Sequence, residues 1–308
     1  MVCDRMKVLT ANHSSFPRLA AARTDRDAMA TAVAAQQDAG LDLVTDGHLC
    51  DAEHVVRSLS GFEFGQARAF FATASRLRTP IVRDRVHRIS PALVDHFRMA
   101  SDIADRPVKA VFVGPYTLAR LSVIETSAYP TYRELAQDLA GALAGEVRDL
   151  AAAGAPMIQI DEPAICQHAE DIRLLRQLFE PLYAARGNAE IAIATYFFDS
   201  DPLYPQLNSI PADIVAVDLS CSPRLAQTIA DTGASKLLAL GVVDGRNPQL
   251  EDAAAVANSL SQLLHRYALD TVYLQPSCGL SELTAAQAIE KLRLLGTIRT
   301  ALVQRMAA

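Results

Sequence analysis

Short apolar runs that stop abruptly on polar residues recur along this chain, and most are followed by a stretch of helical length. The clearest is Pro156-Met157-Ile158-Gln159-Ile160-Asp161-Glu162-Pro163, where the run ends on two adjacent carboxylates and a proline. A run so short, halted so sharply, reads as a strand, because a helical pattern would not break at Asp-Glu-Pro. Asp161 then sits at the strand's carboxyl end. In parallel α/β folds that edge binds ligands, since the loops that leave it form the mouth of the sheet or barrel. The competing reading is that Asp161 or Glu162 only caps the helix that Pro163 opens.

The same pattern predicts strands over residues 8–13, 41–45, 109–113, 157–161, 190–195, 213–218, 237–242 and 271–275. Helices are predicted over 25–39, 131–153, 170–185, 250–267 and 281–304, with Gly40 and Gly154 closing the first two at the position helices favour for glycine. Residues 49–105 break the rhythm, being too long for one connection and rich in Arg and His around 83–88. They read as an excursion over the mouth, with a helix or hairpin of its own. Eight strand units with no linker or composition break favour one α/β domain over residues 1–308, a single (β/α)8 TIM barrel with this insertion after strand two. A doubly wound sheet would more often show a GxGxxG turn after strand one, which is missing.

Composition narrows the function. The chain has 308 residues, half of them apolar, enough to bury a large core. A net charge of −6 without a Lys/Arg cluster argues against nucleic acid and for a small-molecule ligand. The N-terminus lacks a signal-peptide core, and no run reaches the ~18 apolar residues that span a bilayer, so a cytoplasmic protein without membrane contact is expected. Five cysteines, Cys3, Cys50, Cys166, Cys221 and Cys278, are widely spaced with no CxxC pair. They fit neither a disulfide framework nor a zinc knuckle, so any functional one acts as a thiol or a metal ligand. In the predicted register the strand ends gather His13, Ser15, Asp46, His48, Asp161, Glu162, Tyr196, Asp218, Cys221, Arg246 and Cys278 at one rim. Polar groups buried at such a rim need partners, which a small polar ligand supplies.

Five motifs in order carry a resemblance: Ser15-Phe16-Pro17, Gly40-Leu41-Asp42 running to Thr45-Asp46-Gly47, Gln159-Ile160-Asp161-Glu162-Pro163, Val243-Asp244-Gly245-Arg246-Asn247 and Ser277-Cys278-Gly279-Leu280. Together the chain resembles the cobalamin-independent methionine synthase family, at the size of its stand-alone, single-barrel members. The resemblance implies methionine biosynthesis by methyl transfer to the thiol of homocysteine or a related amino-acid thiol, from folate or a corrinoid protein. It further implies zinc, which holds the sulfur as a thiolate. The family's ligands are a His-x-Cys pair after strand five, an acidic residue after strand six and a cysteine after strand eight. Cys278 matches the last and Asp218 the acidic one. Thr195-Tyr196-Phe197 stands where the pair belongs, and neither Thr195 nor Phe197 can ligate zinc. The string is closer to the family's metal-free barrel.

A relocated pair is visible in His48-Leu49-Cys50, so a site drawn from His48, Cys50, Cys221, Asp218 and Cys278 is one alternative. In the other, His48 is a polar rim residue, Cys50 a loop thiol and Cys278 an inert buried cysteine. For the substrate, the resemblance assigns its carboxylate to Ser15 and its ammonium to Asp161, beside Glu162; His48 stands where the family has a glutamate near that ammonium. Asp161 and Cys278 are thus the catalytic candidates. Three classes remain open: a zinc-assisted methyltransferase, a zinc-free barrel acting as lyase or decarboxylase on an amino-acid-like ligand, and a non-catalytic binding barrel.

Overall fold

The computed structural model describes residues 6–18, 24–48, 52–71, 76–264 and 270–307. Strand β1 (Lys7–Thr10) leads to helix α1 (Asp25–Asp38), whose start is fixed by a reciprocal cap. The Asp27 N–H donates to Thr24 Oγ1, and the Thr24 N–H donates to the Asp27 carboxylate. The excursion follows: α2 (Ala52–Arg57), the antiparallel strands β2 (Phe62–Ala69) and β3 (Arg76–Val82), and α3 (Val94–Ile103). It holds both a hairpin and helices.

The strand–helix alternation then resumes with β4 (Lys109–Val113), α4 (Pro115–Leu121), β5 (Val123–Ile124), α5 (Tyr132–Ala152), β6 (Met157–Asp161) and α6 (Ile172–Ala184). After these come β7 (Glu190–Thr195), α7 (Tyr204–Leu207), β8 (Ile214–Asp218), α8 (Leu225–Thr232), β9 (Leu237–Val243), α9 (Ala253–Leu264), β10 (Thr271–Pro276) and α10 (Ala285–Ala307). Strands β4, β6 and β7 have the bounds their apolar runs predict. Seven strands form one curled parallel sheet in the order β1-β10-β9-β8-β7-β6-β4, while β5 joins the hairpin in a small second sheet. Strands β4, β6 and β8 are buried at every position, as expected for strands covered on both faces.

The strand expected over residues 41–45 is not formed as such. Only Leu43 and Val44 pair, Leu43 with Ala11 and Val44 with Val108, so this segment touches both edges of the curled sheet through two isolated bridges. Side chains explain why it is so short. The Thr10 N–H, which a longer ladder would use, donates to Asp42 Oδ2 at 2.8 Å, and the Thr45 N–H donates to Gln36 Oε1 from α1 at 2.8 Å. Both satisfy the backbone from outside the sheet, which stops the ladder at each end.

One buried carboxylate ties the excursion to the sheet's helical cover. Glu146 of α5, 1% exposed, accepts the Arg88 guanidinium at 2.8 Å and the Leu93 N–H at 2.7 Å, with the Ala92 N–H alongside. Glu146→Ala would take that acceptor from the Leu93 N–H and leave Arg88 paired with Asp149 alone, at an expected cost of about 1–3 kcal/mol in urea unfolding. A loss below about 1 kcal/mol, the range of an exposed ion pair, would show that the excursion is held elsewhere.

Candidate functional site

The carboxyl ends of β1, β4, β6, β7 and β10 open on a cavity of about 510 Å³. Its floor and walls come from Ser14, Ser15 and Phe16 after β1, from Gly47 and His48, from Val113 and Asp161 at strand ends, and from Tyr196, Phe197, Gly279 and Ser281. The excursion contributes Phe70, Arg76 and Leu77, so the hairpin covers the mouth as its length suggests.

Asp161 is 4% exposed at the end of β6, with each carboxylate oxygen held by a different donor. Gln159 Nε2 donates to Oδ1 at 2.8 Å, and the Tyr196 hydroxyl donates to Oδ2 at 3.0 Å. Burial pushes the carboxyl up; the Gln159 hydrogen bond, the nearby His48 and the Tyr196 hydroxyl oppose it. Behind Gln159 lies Lys109 of β4, 1% exposed, whose Nζ donates to Gln159 Oε1 at 2.5 Å. Burial takes this lysine down to about 7, against the pull of Asp161. The Tyr196 ring meets the edge of His13 at 4.8 Å, and burial, then Lys109 and His48, hold that imidazole well below its usual range and hence neutral. Tyr196 is placed at the rim by the sequence reading, whereas Lys109 and Gln159 are not candidates in it. Lys109 had a signal, a cation inside an apolar strand, because such residues are almost never fully buried without a task.

Ser15 lies against the loop after β10: its Oγ accepts the Ser281 N–H at 3.3 Å, and its carbonyl accepts the Leu280 N–H at 3.0 Å. A Cβ at residue 279 would fall 2.2 Å from Ser15 Oγ, so only glycine allows this approach. His48 stands at φ 55°, in the left-handed region, with its N–H donating to Asp46 Oδ1 at 2.7 Å. Its buried Nδ1 has no hydrogen-bond partner among the described residues. Glu162 turns away from this pattern. Its carboxylate accepts the Tyr116 N–H at 3.0 Å and the Thr117 N–H at 2.7 Å, capping α4. The capping alternative therefore holds for Glu162, but on the preceding helix rather than the turn that Pro163 opens, where Glu162 makes no side-chain cap.

The sulfur-bearing candidates lie elsewhere. Asp218, fully buried, has Oδ1 occupied by the Ser220 N–H at 2.8 Å, the Ser220 hydroxyl at 2.6 Å and the Cys221 N–H at 3.1 Å. Arg246 donates to Cys221 Sγ and also to Asp244. Cys278, 1% exposed, accepts from Ser277 and donates to the Gly279 carbonyl. Burial raises the thiols of Cys221 and Cys278 and takes Cys166 up to about 12. Thr195 is buried, and Phe197 presents its ring to the cavity from a backbone at φ 72°. Asp218, Cys221 and Cys278 do not line the cavity that Ser15, His48 and Asp161 share.

A zinc site needs several thiolate, imidazole or carboxylate donors aimed at one point. Among the described residues no three His, Cys, Asp or Glu side chains are so arranged. The guanidinium of Arg246 lies against the sulfur of Cys221, where a metal cation would have to sit, and Asp218 has given Oδ1 to local donors. Cys50 lies outside the described residues. The candidate donors in view do not fit a zinc ion.

Comparison with known proteins bears on the whole arrangement. The family described as cobalamin-independent synthase, catalytic domain, matches residues 10–300. A methionine synthase from Saccharolobus solfataricus is 32% identical over 260 residues, 82% of this chain and 77% of the relative. One from Sulfurisphaera tokodaii is 30% identical, covering 86% of this chain and 78% of its own. In fold, the chain is similar to a B12-independent methionine synthase from Shewanella sp. W3-18-1 solved with selenomethionine, with a TM-score of 0.80 at 21% identity over 97% of this chain and 99% of that one. A methyltransferase from Methanosarcina mazei gives 0.70 at 14% identity over 96% and 94%. Among the described residues no helix is long and apolar enough to cross a membrane.

The donor arrangement gives a direct expectation for metal content. Elemental analysis of freshly purified protein should find zinc far below stoichiometric, and Cys278→Ser should leave that content where it was. A full equivalent of zinc that Cys278→Ser removes would make Cys278 a ligand after all, with partners that must include residues outside those described.

Proposed function

Because the chain belongs to the cobalamin-independent synthase catalytic-domain family, we propose that it methylates the sulfur of homocysteine, or of a closely related amino-acid thiol, bound in this cavity. The methyl carbon leaves its donor, of the 5-methyltetrahydrofolate or methylcorrinoid type, and bonds to sulfur as the thiol loses its proton. The whole chain acts as one closed eight-unit barrel with residues 49–105 inserted, a reading supported by the bridges of Leu43 and Val44 to both sheet edges. A cytoplasmic setting agrees with the free thiols of Cys166, Cys221 and Cys278.

The observation that carries the proposal is the Asp161 carboxylate, buried at the end of β6 yet facing the cavity, with one donor on each oxygen. Each oxygen keeps a lone pair, so the group can accept from a substrate ammonium without losing its internal donors. Ser15 and the loop it packs against face the substrate carboxylate, and His48 offers its Nδ1, which has no partner among the described residues, as an acceptor to the ammonium or to the thiol proton. Phe70 and Phe197 line the cavity with apolar rings that exclude water during transfer.

Asp161→Asn is expected to weaken homocysteine and methionine binding by about 1.5–3 kcal/mol in calorimetric titration, the value of a hydrogen bond to a charged group, with the fold retained. The pH sign follows from the raised carboxyl. Only the ionised form attracts an ammonium, so wild-type affinity should fall on acidification, starting above the ~4 of an ordinary carboxylate. The asparagine variant should lack that acid limb. Equal affinity in both proteins would mean that Asp161 anchors no ammonium.

A further inference from the structure

Lys109 has no part in the chemistry just described, although it is a buried cation, 1% exposed. An ammonium in a strand buried at every position is costly to keep, and an aliphatic residue would fill the same space. Its hydrogen-bond partner is neutral: Nζ donates to Gln159 Oε1. An amide has one accepting end and one donating end, so a cation at the oxygen turns the NH2 group toward Asp161 Oδ1, where it is found at 2.8 Å. The lysine thus reaches the cavity's carboxylate through one intervening side chain.

The groups that face it are few. Asp161 attracts it from β6; His13, from the end of β1, is neutral. Asp46 borders the same small void as Lys109, with one oxygen on the His48 N–H. On the cavity side of Asp161 lie the Tyr196 hydroxyl and His48. Within the sheet, the cation facing the buried carboxylate of Asp161 in the empty cavity is Lys109.

We propose that Lys109 is a positioning residue that orients Gln159 and keeps Asp161 ionised while the cavity is empty, and that it gives up its proton when the ammonium of an amino acid docks on Asp161. This rests on the reading of the cavity as an amino-acid site. In the exchange one N–H bond of the lysine ammonium breaks, the proton passes to the buffer, and the amine keeps its hydrogen bond to Gln159 Oε1. The ligand's ammonium replaces the lysine's as counter-ion, so the buried site holds one anion and one cation before and after. Burial places Lys109 near 7, so at neutral pH a second cation beside Asp161 is enough to tip the balance.

The lysine itself can be watched. The chain has only four lysines, Lys7, Lys109, Lys236 and Lys291, so carbon-13-labelled lysine gives few signals in a magnetic resonance titration, and Lys109→Met assigns the one that vanishes. Should that variant not fold, Lys7→Arg, Lys236→Arg and Lys291→Arg assign it by elimination. Methionine is the probe, because it has the ammonium and carboxylate but no thiol to release a proton of its own. The expected result is a Lys109 midpoint near neutrality in free protein that falls by about one pH unit or more with saturating methionine. A midpoint in the ordinary lysine range, or one that methionine leaves unmoved while calorimetry shows it bound, would overturn the coupling alone. Failure of methionine to bind the wild type at all would overturn the amino-acid reading, and the coupling with it.

Discussion

A carboxylate removed from water keeps its charge only if other groups replace the solvent, and much of this site follows from meeting that condition at Asp161. Gln159 meets it from the same strand, two residues back, where the pleat puts both side chains on one face. Tyr196 meets it from the end of the neighbouring strand. Each donor then has needs of its own. The Gln159 carbonyl oxygen takes the Lys109 ammonium from β4, and the Tyr196 ring packs on the edge of His13 from β1. Four strands are thereby bound to one charge, which fixes their mutual register at the rim more tightly than apolar packing alone, where neighbouring aliphatic side chains can exchange places at modest cost.

The rim also stores strain. Among the described residues three non-glycine positions have left-handed backbone, His48, Phe71 and Phe197, at φ 55°, 52° and 72°. Two line the cavity, and Phe71 lies 6.1 Å from the Phe197 ring and 4.7 Å from Phe70. Each costs on the order of 1–3 kcal/mol and persists only where its surroundings insist on it. Here the insistence comes from both sides, from the turn after β7 and from the hairpin pinned through Arg88 and Glu146 to α5. The aromatic mouth is therefore a product of two anchored elements, and its rings are set by backbone rather than free to fill space.

How far the sequence revealed this depends on the period of the signal. Strands β4, β6 and β7 have short, mostly apolar runs with sharp stops, at Gly114-Pro115 and at Asp161-Glu162-Pro163 in the first two, so their ends were legible to the residue, and with them Asp161 at the rim. The segment around Leu43 has the same kind of run, but its ladder is cut short by Asp42 and Gln36, side-chain competitors that no periodicity reports. Glu162 was read as companion to Asp161 because the two are adjacent; adjacent residues at a strand end face opposite ways, and one took the cavity side while the other took the start of α4. The cysteines show a related limit of the sequence. Shared placement at a rim does not aim side chains at one point, and the contact between Arg246 and Cys221 joins residues 25 positions apart that only the fold brings together.

Phe197 shows how the two halves of the rim are joined. Its ring lines the cavity, while its N–H points to Asp218 Oδ2 at 3.4 Å, in the cluster of Ser220, Cys221 and Arg246 that does not open on the cavity. A left-handed residue can do both, since the reversal of the chain separates the direction of the side chain from that of the N–H. Asp218 therefore acts on the cavity by holding a wall residue in its strained state, and Arg246, whose guanidinium lies 5.9 Å from the Phe197 ring centre, braces the same wall from behind. Residues that the family resemblance places at a metal thus retain a bearing on the cavity, through the position of one aromatic ring and without lining it themselves.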